Sequence, residues 1–287
     1  MPPVEPPAPG MPDARPGAPW FPAGAPGPAA PDALPLVCFP YAGGTPSVFH
    51  RWARPLGTGV RVAPLLLPGR GLRLAEEPFT SMGPLVDAVT DALTARGLDA
   101  DCAFFGHSMG AVLAYEVACA LRERGRPGPR GLFLSGSRAP HGYGDRRDST
   151  LPEEELVALL GGLGGLGAGP SAVRRAFLRR RLPALRADLR VCDHYRWRRR
   201  APLDLPLTVM NGADDPLARP EQADSWRTYT TAAFHRHEVP GGHFYLLEEP
   251  TQDLLLDELR SWCAGLASAG PGLHGLTGSA RTPQRYS

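Results

Sequence analysis

Residues 102–115 read Cys102-Ala103-Phe104-Phe105-Gly106-His107-Ser108-Met109-Gly110-Ala111-Val112-Leu113-Ala114-Tyr115. The stretch opens as a short apolar run of strand type, turns on a G-x-S-x-G, and continues as an apolar helix. A serine in that turn stands at the end of a strand and the start of a helix, with glycines where the backbone must come close. The pattern alone is weak. Its setting, with a buried strand immediately before it and a helix immediately after, is what gives it weight over an ordinary βα turn with a helix-capping serine.

Outward from this turn, short apolar runs alternate with helical periodicity. Strands are expected at 35–39, 60–66, 102–106, 131–136, 205–211 and 234–239, and helices at 82–96, 109–124 and 244–266. In the first helix Leu85, Val86, Val89 and Leu93 share one face. Such alternation predicts an α/β fold with a mostly parallel central sheet flanked by helices. Residues 151–200 interrupt it with helical material and a run, 161–169, in which six of nine residues are glycine. This excursion, about 140–203 in all, reads as an inserted helical lid.

The chain has 287 residues, 43% of them hydrophobic, and a net charge of +2, enough for one sizeable core. Residues 1–35 hold 13 of the 34 prolines, so 1–33 is expected to be a disordered extension. Residues 34–266 form the folded domain in this reading, and the Gly/Ser/Thr-rich 267–287 a flexible tail. No run approaches the roughly 18 apolar residues of a membrane span, and no basic-then-apolar leader opens the chain. Cys38, Cys102, Cys119, Cys192 and Cys263 are odd in number, scattered and without a CxxC, so reduced thiols in a cytoplasmic protein are expected, with no disulfide framework and no metal. All 31 basic residues are arginine. Eleven of them lie in 174–200 against Asp188 and Asp193, a local +9 that leaves 20 basic and 27 acidic residues, or −7, elsewhere. Such polarity attracts nucleic acid, an anionic membrane or an acidic protein.

A serine hydroxyl becomes nucleophilic when a histidine takes its proton and a carboxylate fixes that histidine's tautomer. Downstream, the strand at 205–211 runs into Gly212-Ala213-Asp214-Asp215-Pro216, and the strand at 234–239 into Pro240-Gly241-Gly242-His243-Phe244. Both are loops at strand C-terminal ends, where α/β sheets build their sites. Asp215 is preferred to Asp214 because the following proline holds it extended. His243 is the expected base. His107 reads as a packing or hydrogen-bonding residue, His235 and His237 as exposed on a strand, and His50, His141, His194 and His274 as structural or surface residues. Oxyanion donors are expected from the backbone of Met109, at a helix start, and of Ala42, in the glycine turn after the first strand.

Six segments then carry a family resemblance: Phe-Pro-Tyr-Ala-Gly-Gly at 39–44, Leu-Pro-Gly-Arg-Gly-Leu-Arg at 67–73, Gly-His-Ser-Met-Gly-Ala at 106–111, Leu-Pro-Ala-Leu-Arg-Ala-Asp at 182–188, Gly-Ala-Asp-Asp-Pro at 212–216 and Gly-Gly-His-Phe at 241–244. In this order they resemble the type II thioesterases that accompany polyketide synthases and nonribosomal peptide synthetases, over residues 34–266. The resemblance implies an α/β-hydrolase fold with a helical lid. It implies hydrolysis of acyl thioesters from the phosphopantetheine arm of an acyl or peptidyl carrier protein, clearing stalled or mis-primed chains without a cofactor. It carries nucleophile, acid and base onto Ser108, Asp215 and His243, and the oxyanion donors onto Ala42 and Met109. Because carrier proteins are typically acidic, Arg179, Arg180 and Arg181 are candidate docking residues. A carboxylester hydrolase or an acyltransferase would use the same scaffold. A noncatalytic module binding carrier protein or nucleic acid through the basic segment is the competing reading of another class, with no nucleic-acid reader motif behind it. Nothing in the sequence demands more than a monomer, and no nucleic-acid or membrane partner is expected.

Overall fold

A computed structural model describes residues 20–22, 29–165, 171–268 and 284–285, with side chains at 171–179, 220 and 284–285 left undescribed. The strands are β1 (Leu34–Phe39), β2 (Val60–Pro64), β3 (Ala103–His107), β4 (Leu132–Ser135), β5 (Leu207–Gly212), β6 (Phe234–Val239) and β7 (Gln284–Arg285). The helices are α1 (Ala53–Leu56), α2 (Met82–Ala95), α3 (Met109–Glu123), α4 (Glu153–Gly162), α5 (Ser171–Asp193), α6 (Pro220–Ala223) and α7 (Glu249–Ser268). All strand pairings are parallel, in the order β2-β1-β3-β4-β5-β6-β7.

Side chains alternate across each strand, which sorts the sheet into two apolar faces. Val37, Phe39, Phe104, Leu132, Leu134 and Val209 pack with α2 and α3 on one side. Leu36, Cys38, Phe105, Phe133 and Met210 pack with α1 and α7 on the other. Covered on both faces, the central strands read as unbroken apolar runs, as a parallel sheet requires. α3 is buried over most of its circumference, from Met109 to Cys119.

The strand order reverses between β1 and β3, so the chain leaves those two strands in opposite directions and opens a crevice at their C-terminal ends. The ends are in register: Phe39 lies beside Gly106, His107 beside Ser135, Ser135 beside Met210 and Gly212 beside Val239. Loops that follow these strands therefore meet at one edge. Above that edge sit α4 and α5, joined by Leu156, Leu182 and Leu185 in a small apolar cluster that also takes in Ala42.

Two expectations need correction. The single helix over 244–266 is instead a short 3-10 turn (Tyr245–Leu247) followed by α7. Pro250 lacks an N–H and its ring would clash with the carbonyl four residues back, so a helix cannot run through it and restarts at Glu249. His235 and His237 are half-buried, not exposed, because β7 and α7 cover β6; His237 contacts Glu258 at 3.3 Å. Within the expected disordered extension, the Trp20 carbonyl accepts the Leu66 N–H (2.7 Å), the Arg73 guanidinium lies 3.9 Å from the Trp20 ring centroid, and Phe21 is buried. Within the expected tail, Gln284–Arg285 pairs with His237–Glu238. The rest of 1–33 and 267–287 lies largely outside the described residues, as does 166–170 of the glycine run.

Candidate active site

Ser108 is built into a strained turn. Its φ is +56° and ψ −119°, a conformation that side chains other than glycine rarely adopt. The two flanking glycines make the turn possible. A Cβ at Gly106 would stand 2.2 Å from the Gly110 carbonyl oxygen, and one at Gly110 would stand 2.2 Å from the Phe39 carbonyl oxygen. β3, α3 and β1 thus approach one another at the backbone around the serine.

The loops after β5 and β6 interlock in the same way. The Asp214 N–H donates to the Gly241 carbonyl (3.0 Å), and a Cβ at Gly212 would meet that oxygen at 2.4 Å. Asp215 faces inward at 2% exposure while Asp214 is exposed. Asp215 Oδ1 accepts the N–H groups of Leu217 (2.8 Å) and Ala218 (3.1 Å), which leaves Oδ2 for His243 Nδ1 at 2.8 Å. His243 Nε2 lies 3.0 Å from Ser108 Oγ. An ionised carboxylate only accepts, so the histidine proton sits on Nδ1 and the Nε2 lone pair faces the serine hydroxyl. This geometry can move a proton from Oγ to Nε2.

Ala42 and Met109 both line a cavity of about 70 Å³ that also takes in Ser108, Gly136, Leu189 and His243. Met109 is the first residue of α3, so its N–H has no intrahelical acceptor. In the 41–45 loop the Gly44 N–H closes a turn on the Tyr41 carbonyl (2.7 Å), and the Gly43 N–H donates to Asp188 Oδ2 (2.7 Å). The Ala42 amide makes no such bond among the described residues.

Beneath His243 runs a buried polar relay that no sequence motif discloses. Tyr245 donates to the Met210 carbonyl (3.1 Å), its oxygen lies 2.5 Å from Ser135 Oγ, and Ser135 Oγ lies 2.7 Å from His107 Nδ1. Burial, and secondarily the nearby His243, push the His107 imidazole well below its ordinary range, so it stays neutral under the base. Burial likewise raises the thiols of Cys38, Cys102, Cys119, Cys192 and Cys263, which removes cysteine as a competing nucleophile. Of the three candidate docking arginines, Arg180 is exposed, Arg181 is half-buried and donates to Thr45 Oγ1 (3.0 Å), and the Arg179 side chain is undescribed.

No helix among the described residues is long and apolar enough to cross a membrane, and no group of three or more His, Cys, Asp or Glu is placed to hold a metal ion. The thioesterase domain family matches residues 34–263. In sequence the chain is 39% identical over 221 residues, 77% of its length, to a probable cadicidin biosynthesis thioesterase of Streptomyces griseus, of which the match spans only 60%. In structure it is similar to RedJ, a thioesterase from the prodiginine biosynthetic pathway in Streptomyces coelicolor, with a TM-score of 0.78 at 53% identity over 84% of this chain and 92% of that one. It is also similar to BorB, the type II thioesterase from the borrelidin biosynthetic cluster, with a TM-score of 0.71 at 34% identity over 83% and 94% of the two chains. The parallel sheet with its strand-end serine turn and helical lid is an α/β-hydrolase fold, and this chain belongs to the thioesterase domain family.

Proposed function

We propose that the chain hydrolyses acyl thioesters held on the phosphopantetheine arm of acyl or peptidyl carrier proteins, through an acyl-Ser108 intermediate, clearing chains from a polyketide or nonribosomal peptide synthase in the cytoplasm. The observation that carries this reading is the relay Ser108 Oγ to His243 Nε2 at 3.0 Å and His243 Nδ1 to Asp215 Oδ2 at 2.8 Å, in a chain of the thioesterase family. The domain is taken as 34–266, with the lid at about 140–203.

In the proposed cycle His243 Nε2 accepts the serine proton as Oγ attacks the thioester carbonyl, and the Ala42 and Met109 amides receive the oxyanion. Collapse breaks the C–S bond. The thiolate leaves with the proton from His243, and the acyl group stays on Ser108. His243 next deprotonates a water that attacks the acyl carbon, and the second collapse releases the carboxylic acid and returns the proton to Ser108. Asp215 holds the Nδ1–H throughout. These steps need no cofactor.

Docking is assigned to the arginine-bearing face of the lid together with the neighbouring 67–74 segment. A second cavity, of about 510 Å³, lies on the other side of the 41–45 loop and is bordered by Pro22, Leu72, Leu74, Arg180 and Arg181. Leu72 is 74% and Leu74 50% exposed, a pair of large apolar side chains beside an exposed arginine. An acidic carrier protein with an apolar contact helix suits that surface.

The test compares release of one short acyl group from an acyl carrier protein and from a small thiol, for wild type and Ser108→Ala. Faster release from the carrier, reduced on the order of 10⁴-fold or more by the substitution, is the expected result. Activity on the small thioester or on an oxygen ester with none on the carrier would leave a serine hydrolase and remove the carrier-protein assignment.

A further inference from the structure

Asp188, on α5 of the lid, is 2% exposed and Arg70, in the 67–73 loop, is 4% exposed. They meet as a two-point ion pair, Arg70 Nη1 to Asp188 Oδ2 at 2.6 Å and Nη2 to Oδ1 at 2.8 Å. The same Oδ2 accepts the Gly43 N–H at 2.7 Å, and Arg70 also donates to the carbonyls of Gly44 (3.2 Å) and Pro68 (3.2 Å). One buried ion pair therefore ties three separate stretches together: the lid helix, the 67–73 loop and the loop that carries Ala42.

The attachment lies next to the reacting site. Gly43 has a φ of +74°, and a Cβ there would stand 3.2 Å from Leu185 Cδ1, so the lid helix lies directly on this peptide. With the Gly43 amide drawn to a carboxylate and the Gly44 amide turned onto the Tyr41 carbonyl, the orientation of the intervening Ala42 peptides is set. Charge-assisted hydrogen bonds of this kind are short and directional. Stability alone is a poor reason for burying them, since an apolar pair of the same size often does as well.

We propose that Asp188 is a positioning residue for the oxyanion loop. Through Gly43, and through Arg70 on Gly44, the lid carboxylate holds the 41–45 loop where the Ala42 amide donates to the oxyanion, so that donor is assembled only while the lid helix is seated. This rests on the acyl-Ser108 reading above.

The experiment uses Asp188→Asn and, because removing one partner strands the Arg70 charge, the double variant Arg70→Met/Asp188→Leu, which removes the pair without leaving a buried charge. Each is measured for kcat and KM on a small acyl thioester. Each is also measured for binding of a trifluoromethyl ketone, to which Ser108 adds reversibly, and of the matching alcohol, which forms no adduct. Loss of one oxyanion donor costs roughly 10²- to 10³-fold in kcat. The expected result is a kcat loss approaching that range with KM nearly unchanged, the ketone weakened by a similar factor, and the alcohol bound as before. A folded variant with wild-type kcat and ketone affinity would overturn the positioning role and leave the hydrolase reading standing, as would equal weakening of ketone and alcohol. If the wild-type protein forms no adduct with the ketone, the acyl-Ser108 reading falls and takes this proposal with it.

Discussion

At the scale of single residues, two neighbouring aspartates have opposite surroundings. The Asp215 carboxylate is buried under three hydrogen bonds while Asp214 faces solvent. Asp215→Asn is therefore expected to lower kcat on the order of 10⁴-fold, because an amide can present its N–H₂ to His243 and favour the wrong tautomer. Asp214→Asn should stay within about twofold of wild type. Steady-state rates on one thioester check both, and an equal loss at the two positions would remove the distinction. A second prediction concerns His107. Unfolded, it takes up a proton as pH falls below about 6.5, whereas in the folded protein its burial against His243 keeps it neutral to much lower pH. In that window the unfolded state binds more protons, so stability falls as the solution is acidified. The His107→Gln variant should show a shallower loss of stability between pH 6.5 and the folded value, by up to about 1.4 kcal/mol per pH unit. Denaturant unfolding at a series of pH values reads the difference directly, and parallel slopes would show that His107 does not carry this linkage.

Elements show which constraints are local and which are not. At Gly110 an added methyl would enter the Phe39 carbonyl, where β1 crosses the start of α3, so Gly110→Ala is expected to cost more than about 3 kcal/mol or to prevent folding. Gly265, on α7, has open space where its Cβ would stand, and Gly265→Ala should stabilise by about 0.5–1 kcal/mol. Thermal unfolding of the two variants checks the contrast. Periodicity is local, and for that reason the six longer strands, α2 and α3 are legible in the sequence alone, as is the placing of Ser108, Asp215 and His243 at three strand ends. The break before α7 is written at Pro250, but an apolar run from Phe244 hides a stop that one residue enforces. Pairings between distant segments that no catalytic pattern joins are not legible. Arg70 and Asp188 are 118 residues apart, and nothing in either local pattern states that one neutralises the other. The same holds for Tyr245, Ser135 and His107, whose relay exists only because the ends of β3, β4 and β5 align.

Over the whole molecule, charge is divided between lid and body. The segment 174–200 carries +9 against −7 elsewhere, yet part of that excess is neutralised or held internally: Arg200 pairs with Glu116 and Glu123, and Arg181 reaches Thr45. What remains outward includes Arg180, next to Leu72 and Leu74. If an acidic carrier docks there, long-range attraction speeds encounter and the leucines hold the complex. The two contributions separate experimentally, because salt screens exposed charges over about 10 Å at 0.1 M and leaves apolar contact largely untouched. For wild type, KM for a carrier-bound thioester should rise with ionic strength while KM for a small thioester stays flat. Arg180→Glu should raise the carrier KM severalfold at low salt and converge on wild type at high salt. Leu72→Ser should raise it at every salt concentration, since the contact it removes is apolar. Neither side chain lines the cavity at Ser108, so kcat on the small thioester is expected to be unchanged in both. Equal effects on carrier-bound and small substrates would place docking elsewhere on the molecule and return these residues to an ordinary solvated face.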